Sequence, residues 1–266
     1  IMPLPSDESL WAKMKIIFTT ANGKVRKNSL LDFENIQQSG KIAMKLEDND
    51  TIVGIKILDD DDDFLLSSKN GKALRVQSKK LRLFKGRSSK GIKGMSLKKD
   101  DKIISLSILK SVKITSDEAK SYIKASRLEK DLDETPDDDN EKTKIIKLSN
   151  KQIQEFKNKE QYILTVTENG YGKRSSAYEY RVSGRGGQGI INIISSERNG
   201  SVASTFTINH EDQIMLITDK GQMIRCNVKD IRITGRNTQG VRIFNLAEDE
   251  KVVSAARVED TSEENN

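Results

Sequence analysis

The side chains able to do chemistry are of few kinds, and the informative ones repeat. One histidine, His210, and one cysteine, Cys226, occur in 266 residues. A Ser–His–Asp or Cys–His centre would have to be built on that single imidazole, and a zinc site needs more ligands than these two supply. Both read as structural, so no catalytic and no metal-binding residue is expected. Arginine set among glycines is the recurrent pattern. Gly86–Arg87–Ser88–Ser89–Lys90–Gly91, Gly184–Arg185–Gly186–Gly187–Gln188–Gly189 and Gly235–Arg236–Asn237–Thr238–Gln239–Gly240 share the form Gly-Arg-x-x-[Lys/Gln]-Gly. Such a loop lets backbone N–H groups and a guanidinium approach phosphate oxygens closely. Expected contacts are Arg87, Lys90, Arg185 and Arg236, with the glycines Gly86, Gly91, Gly184, Gly186, Gly187, Gly189, Gly235 and Gly240 shaping the loops. The corresponding Asn35–Gly40 has no arginine and is expected to contact more weakly. Gly184, Gly186 and Gly189 also spell a dinucleotide fingerprint. That motif needs a following helix, whereas Ile190–Ile194 reads as β, and no Walker A sequence is present.

Elements that must position these loops recur with them. Apolar strand-like runs end at Gly23, Gly71, Gly170 and Gly221, three of them as Asn-Gly, the turn that supplies positive φ in a tight hairpin. Four residues after each glycine stands a base: Lys27, Arg75, Arg174 and Arg225. Equal offsets predict one basic rim, thickened by neighbours such as Lys173, that tracks a duplex backbone without reading sequence. A second glycine (Gly40, Gly91, Gly189, Gly240) follows each turn, then a β-run, a polar turn and a closing β-run. Each unit of about 48 residues thus holds roughly four short strands, the signature of propeller-like folds. The fold class is all-β. Residues 1–258 form one incomplete propeller-like domain with repeats at about 15–58, 63–109, 161–208 and 212–258. Between them lies a partly helical, partly disordered insertion at 110–160. Ser116 is expected to cap its first helix, and Ser149 with Gln152 to open its second by a capping box. Tyr171, Tyr178, Tyr180 and Trp11 read as packing residues.

Charge supports a polyanion partner. The chain has 46 Lys and Arg against 40 Asp and Glu, but Asp59–Asp63, Asp131–Glu141 and Glu259–Asn266 hold sixteen of those acids and no base. The rest opposes 46 bases to 24 acids, and the acidic runs are expected to be solvated. No apolar run reaches a membrane span and no signal peptide opens the chain, so a cytoplasmic protein is expected. Starting at Ile1, it reads as a piece of something longer.

These repeats resemble the C-terminal domain of the DNA gyrase A subunit. The resemblance rests on Thr167–Glu168–Asn169–Gly170–Tyr171–Gly172–Lys173–Arg174 and Gly235–Arg236–Asn237–Thr238–Gln239–Gly240–Val241, and runs from about Ile16 to Val258 outside the insertion. It implies a β-pinwheel, a propeller-like ring of four-stranded blades that exchange strands and wrap DNA around a basic rim. It also implies as partners double-stranded DNA and the remaining gyrase A and gyrase B subunits of an A2B2 holoenzyme. There ATP and Mg2+ act elsewhere and drive negative supercoiling, so this fragment needs no cofactor and is no enzyme by itself. The family's first-blade box of glutamine, two arginines, two glycines, lysine and glycine is not present. Ile1–Leu10 reads as the tail of a preceding blade. The alternatives are the similar domain from the A subunit of topoisomerase IV and a propeller-type protein-interaction platform.

Overall fold

The computed structural model describes residues 3–35, 39–129 and 144–258. Turn chemistry organises the strands: Gly23, Gly71, Gly170 and Gly221 all take φ between +77° and +81°, where a Cβ would be strained. The first two repeats hold β1 (Lys15–Thr20), β2 (Lys24–Ser29), β3 (Ile52–Leu58), β4 (Asp62–Ser68), β5 (Lys72–Gln77), β6 (Leu83–Phe84), β7 (Ile92–Lys93) and β8 (Ile103–Lys110). Helices α1 (Ser116–Glu129) and α2 (Asn150–Lys159) follow. The last two repeats hold β9 (Tyr162–Thr167), β10 (Tyr171–Ser176), β11 (Val182–Ser183), β12 (Ile190–Ile191), β13 (Val202–Ile208), β14 (Gln213–Thr218), β15 (Met223–Asn227), β16 (Val241–Arg242) and β17 (Val252–Val258).

Each blade is built on three antiparallel strands of its own repeat, in the orders β3-β1-β2, β8-β4-β5, β13-β9-β10 and β17-β14-β15. The remaining strands belong to the next repeat. β6 and β7 both pair with β2, parallel and antiparallel respectively. β11 runs parallel to β5, and β12 pairs with the same strand. β16 lies antiparallel to β10, with a parallel bridge between Arg174 and Ile233. The described repeats therefore hold three, five, five and four strands, and the short outer ones complete the preceding blade. Blade 4 is three-stranded, and no described strand lies on the outer edge of β15.

A glycine fixes where the exchanged segment lands. A Cβ on Gly91 would stand 2.5 Å from the Val25 carbonyl oxygen, and one on Gly189 2.5 Å from that of Ala73. Gly240 repeats the arrangement against Gly172, at 2.8 Å. These three glycines admit the backbone of the preceding blade, where the sequence suggested the approach of a ligand.

Two compact units result: residues 1–111 with 182–190, and residues 112–181 with 191–266. In the first, apolar faces of blades 1 and 2 share a core that includes Ile17, Val25, Phe64, Leu66, Val76 and Leu106. Trp11, Phe18, Leu30 and Phe33 pack on the other side of blade 1. In the second, Leu164, Val166, Ile214, Leu216 and Val228 join blades 3 and 4. The helices bury Ala119, Tyr122 and Phe156 against Tyr178, with edge-on aromatic contacts at 5.5–6.1 Å between centroids. Ser149 forms the expected capping box with Gln152. At α1 the cap is Thr115, one residue earlier than expected. Its hydroxyl accepts the Glu118 N–H while the Glu118 carboxylate accepts the Thr115 N–H. The acidic runs 131–141 and 259–266 and part of the Asn35–Gly40 loop lie outside the described residues.

Candidate nucleic-acid interface

The bases expected along a rim divide sharply by exposure. Lys27, Arg75, Lys173, Arg174 and Arg236 are 0–6% exposed, so five of the nine expected contacts face inward. Lys27 Nζ donates to the Ser78 carbonyl at 2.7 Å and meets Asp60 at 3.3 Å. Arg75 pairs with Asp63 at 2.8 Å through both Nε and NH2. Arg174 donates to the carbonyls of Ile231 and Lys229 and lies 3.0 Å from His210 Nδ1. Arg225 is exposed and donates to Gln213 Oε1. Asp59–Asp63 is consequently solvated only in part, at Asp59, Asp60 and Asp61. Asp62 and Asp63 are buried, Asp60 also bonds Lys15 at 2.7 Å, and these contacts hold Asp60 below the usual carboxylate range. Burial without enough compensation draws Lys27 down.

The residue one place earlier grips the exchanged loop. Arg26, fully buried, donates NH1 to the carbonyls of Arg87 and Ser89 and NH2 to that of Gly86. Lys173 does the same in blade 3, its Nζ reaching the carbonyls of Gly235 at 2.7 Å and Arg236 at 2.5 Å and the Thr238 hydroxyl at 3.2 Å. Desolvation pulls the Lys173 ammonium down to about 7, against the raising effect of Glu179. In blade 2 the equivalent residue is Leu74, 3.7 Å from the Cβ position of Gly187. That loop is fastened instead along its edge. Gly186 N–H donates to the Gly94 carbonyl, while Ser96 donates its N–H to Gly187 and its hydroxyl to Gly186.

The three loop arginines differ because their neighbours differ. Glu179 stands nine residues after Gly170, Lys80 nine after Gly71 and Asp32 nine after Gly23. Glu179 accepts the Arg236 N–H at 2.9 Å, and Arg236 Nε donates to the Glu179 carbonyl and NH1 to that of Ile191. Arg236 is thereby folded into the protein. Arg87 is half-buried and donates to the Ile42 carbonyl at 2.7 Å. Arg185 is exposed, 3.4 Å from the Lys93 carbonyl.

One stretch of the first unit is strongly basic. From Phe64 to Lys99 there are twelve Lys and Arg and no acid. Arg82, Lys85, Lys90 and Lys93 are exposed on the segment that crosses blade 1, and the Gly184–Gly189 loop is stitched beside it by the Gly94 and Ser96 bonds. None of these four, nor Arg185, has a carboxylate partner among the described residues. Among the described residues no group of three His, Cys, Asp or Glu could hold a metal. No described helix is long and apolar enough to cross a membrane.

Comparison with known proteins matches this repeat structure to a family described as DNA gyrase C-terminal domain, beta-propeller, at residues 15–59, 62–110, 161–209 and 212–259. The chain belongs to the DNA gyrase C-terminal domain family. The DNA gyrase A subunit of Rickettsia bellii is 44% identical over the whole chain, and that of Escherichia coli 32% identical over 99% of it. The chain spans 29% and 26% of those proteins' lengths. The solved gyrase A C-terminal domain superposes with a TM-score of 0.68, covering 93% of this chain and 67% of that one at 23% identity. The C-terminal domain of DNA topoisomerase IV gives 0.71, over 97% and 65%, at 21% identity. These two likenesses show the propeller fold.

For this gyrase-family domain, sequence spacing placed Arg26 on the rim, whereas it is buried beneath the exchanged loop, and it did not single out the exposed Arg82, Lys85 and Lys93. The uninterrupted basic tract was the available signal. Repeat position drew attention to Lys27, Arg75 and Arg174 instead, which lie in runs of consecutive buried residues that no alternation in the sequence marks.

Proposed function

We propose that this chain binds duplex DNA without sequence preference and bends it across the edges of its blades, as the C-terminal part of a gyrase A subunit. In this reading it acts in the cytoplasm within an A2B2 enzyme, whose other parts use ATP and Mg2+ to pass strands and introduce negative supercoils. The acid-free basic tract carries the reading: Arg82, Lys85, Lys90, Lys93 and Arg185 are exposed on adjoining crossing segments and unpaired by carboxylates among the described residues. Exposed cations of this kind neutralise phosphates and release counterions, whatever the sequence. The buried set Lys27, Arg75, Lys173, Arg174 and Arg236 then holds the blades and loops in place, and Arg87 supports the crossing segment from its edge. The 44% identity to a gyrase A subunit favours gyrase over topoisomerase IV.

Ligation of a nicked circular plasmid in the presence of the chain tests wrapping. A changed linking number after protein removal is expected; binding without any change restricts the domain to contact, and no binding at low salt overturns the reading. Arg185→Ala is expected to weaken binding to all sequences alike and to lower the salt slope by about one. An unchanged slope removes the Gly184–Gly189 loop from the interface.

A further inference from the structure

A second basic feature lies in the other unit, apart from the glycine–arginine loops. Tyr171 opens β10 at the hairpin turn, and Arg242 faces it across the ladder in β16. Arg198 comes from the turn before β13. Three elements thus bring two guanidinium groups onto one ring. Arg198 Cζ lies 5.0 Å and Arg242 Cζ 5.3 Å from the Tyr171 centroid. The Tyr171 hydroxyl accepts from Arg198 Nε at 3.2 Å and from Arg242 NH2 at 2.9 Å. Its ring is 4% exposed, while both arginines are exposed.

This arrangement is held rather than incidental. Asn199 ties the Arg198 turn through its Oδ1, which accepts Ser196 N–H, and its Nδ2, which donates to Ile194 and Gln239 carbonyls. Asn169 Nδ2 donates to the carbonyls of Glu197 and Arg198. Arg242 NH1 is steadied by Asn245 Oδ1 at 3.1 Å. Neither arginine has a carboxylate partner among the described residues. Two like charges sharing one neutral acceptor repel each other, and an anion between them relieves that repulsion. The same register in blade 1 places Lys24 opposite Lys93, but there Glu47 stands 3.5 Å from Lys24. Blade 1 therefore lacks the pair of cations without a carboxylate that blade 3 presents.

We infer that Tyr171, Arg198 and Arg242 form a clamp that binds one phosphate group of the duplex backbone, a contact additional to the basic tract. The inference rests on the DNA-binding reading above. Cation–π stacking and the shared hydroxyl hold the two forks ready, so both point free N–H groups at a single oxyanion.

Duplex binding measured against salt for Arg198→Gln, Arg242→Gln and the double variant decides it. One phosphate shared by two arginines predicts a slope lowered by about 0.9 in each single variant, and by no more in the double. Additive losses in the double variant would show two separate contacts and overturn the clamp. Unchanged slopes overturn it as well, and if Arg185→Ala still lowers the slope in the same assay, the DNA-binding reading survives. Absence of duplex binding by the unmodified chain ends both. Retained thermal melting of the variants, whose substitutions are at the surface, excludes unfolding as the cause. Arg198→Lys/Arg242→Lys is expected to restore the slope but only part of the affinity, since ammonium groups lack the planar fork.

Discussion

Arg26 and Lys173 occupy the same place, three residues after a turn glycine, and each gathers the carbonyls of the loop that the next repeat lays over its blade. A carbonyl turned inward needs a donor, because leaving it dry and unpaired costs about 1–3 kcal/mol. Lys173→Met removes the donor to two carbonyls and a hydroxyl at once, so a loss of roughly 2–4 kcal/mol in unfolding free energy is expected. Its pH signature is distinctive. The folded ammonium titrates near 7, whereas an unfolded lysine titrates near ~10.4. Between those values the unfolded chain holds the extra proton, so this group makes stability rise with pH across the window. Urea unfolding of both proteins from pH 7 to 10 checks this: the wild type should gain stability relative to Lys173→Met as pH rises, and parallel curves would contradict it. Gly189 acts by absence. Its φ of +73° and a Cβ position 2.5 Å from the Ala73 oxygen predict that Gly189→Ala costs roughly 2 kcal/mol or more, visible as a lowered melting point.

Elements explain why three copies of one loop motif behave differently. The strands β6, β7, β11, β12 and β16 are two residues long, too short to persist alone. They hold because each lies on a neighbour's edge and its flanking loop is fastened by side chains. Glu179 is such a fastening in blade 3. One carboxylate oxygen accepts the Arg236 N–H and the other pairs with Arg127 of α1 at 2.9 Å. The insertion thereby braces the loop, and the aromatic group of Tyr122, Phe156 and Tyr178 seats the insertion. Glu179→Gln is expected to destabilise the chain by about 2–3 kcal/mol. The exposed loop at Gly184–Gly189 should retain its DNA contribution. A simultaneous fall in the salt slope would show that the braced loop, too, meets DNA.

At the scale of the molecule, charge is sorted by depth. Asp59–Asp63 neutralises buried bases of blades 1 and 2, while the exposed tract beyond it has no acid to answer it. Of the acidic runs, Glu259–Asn266 adds four negative charges to a chain of net charge +6. Deleting it is expected to tighten duplex binding at low salt and to lose that effect as screening grows. Binding left unchanged at low salt would show that the tail does not compete with DNA.

Much of this was determined by the sequence itself, because it is local. Asn-Gly turns fix hairpins through positive φ, alternating residues fix strands, and Ser149 with Gln152 fixes a helix start within four residues of chain. Repetition of those local signals identified the blades and the family resemblance. Tertiary structure alone decided the destination of the outer strands, since a two-residue strand has no preference until an edge is offered. It also decided which repeated bases face solvent. Lys27 and Arg75 look alike in spacing to an exposed base, yet Asp60, Ser78 and Asp63 meet them inside. Arg198 and Arg242 carry no motif, yet Tyr171 brings them together. Burial and convergence depend on residues distant in the chain, and spacing along one repeat does not encode them.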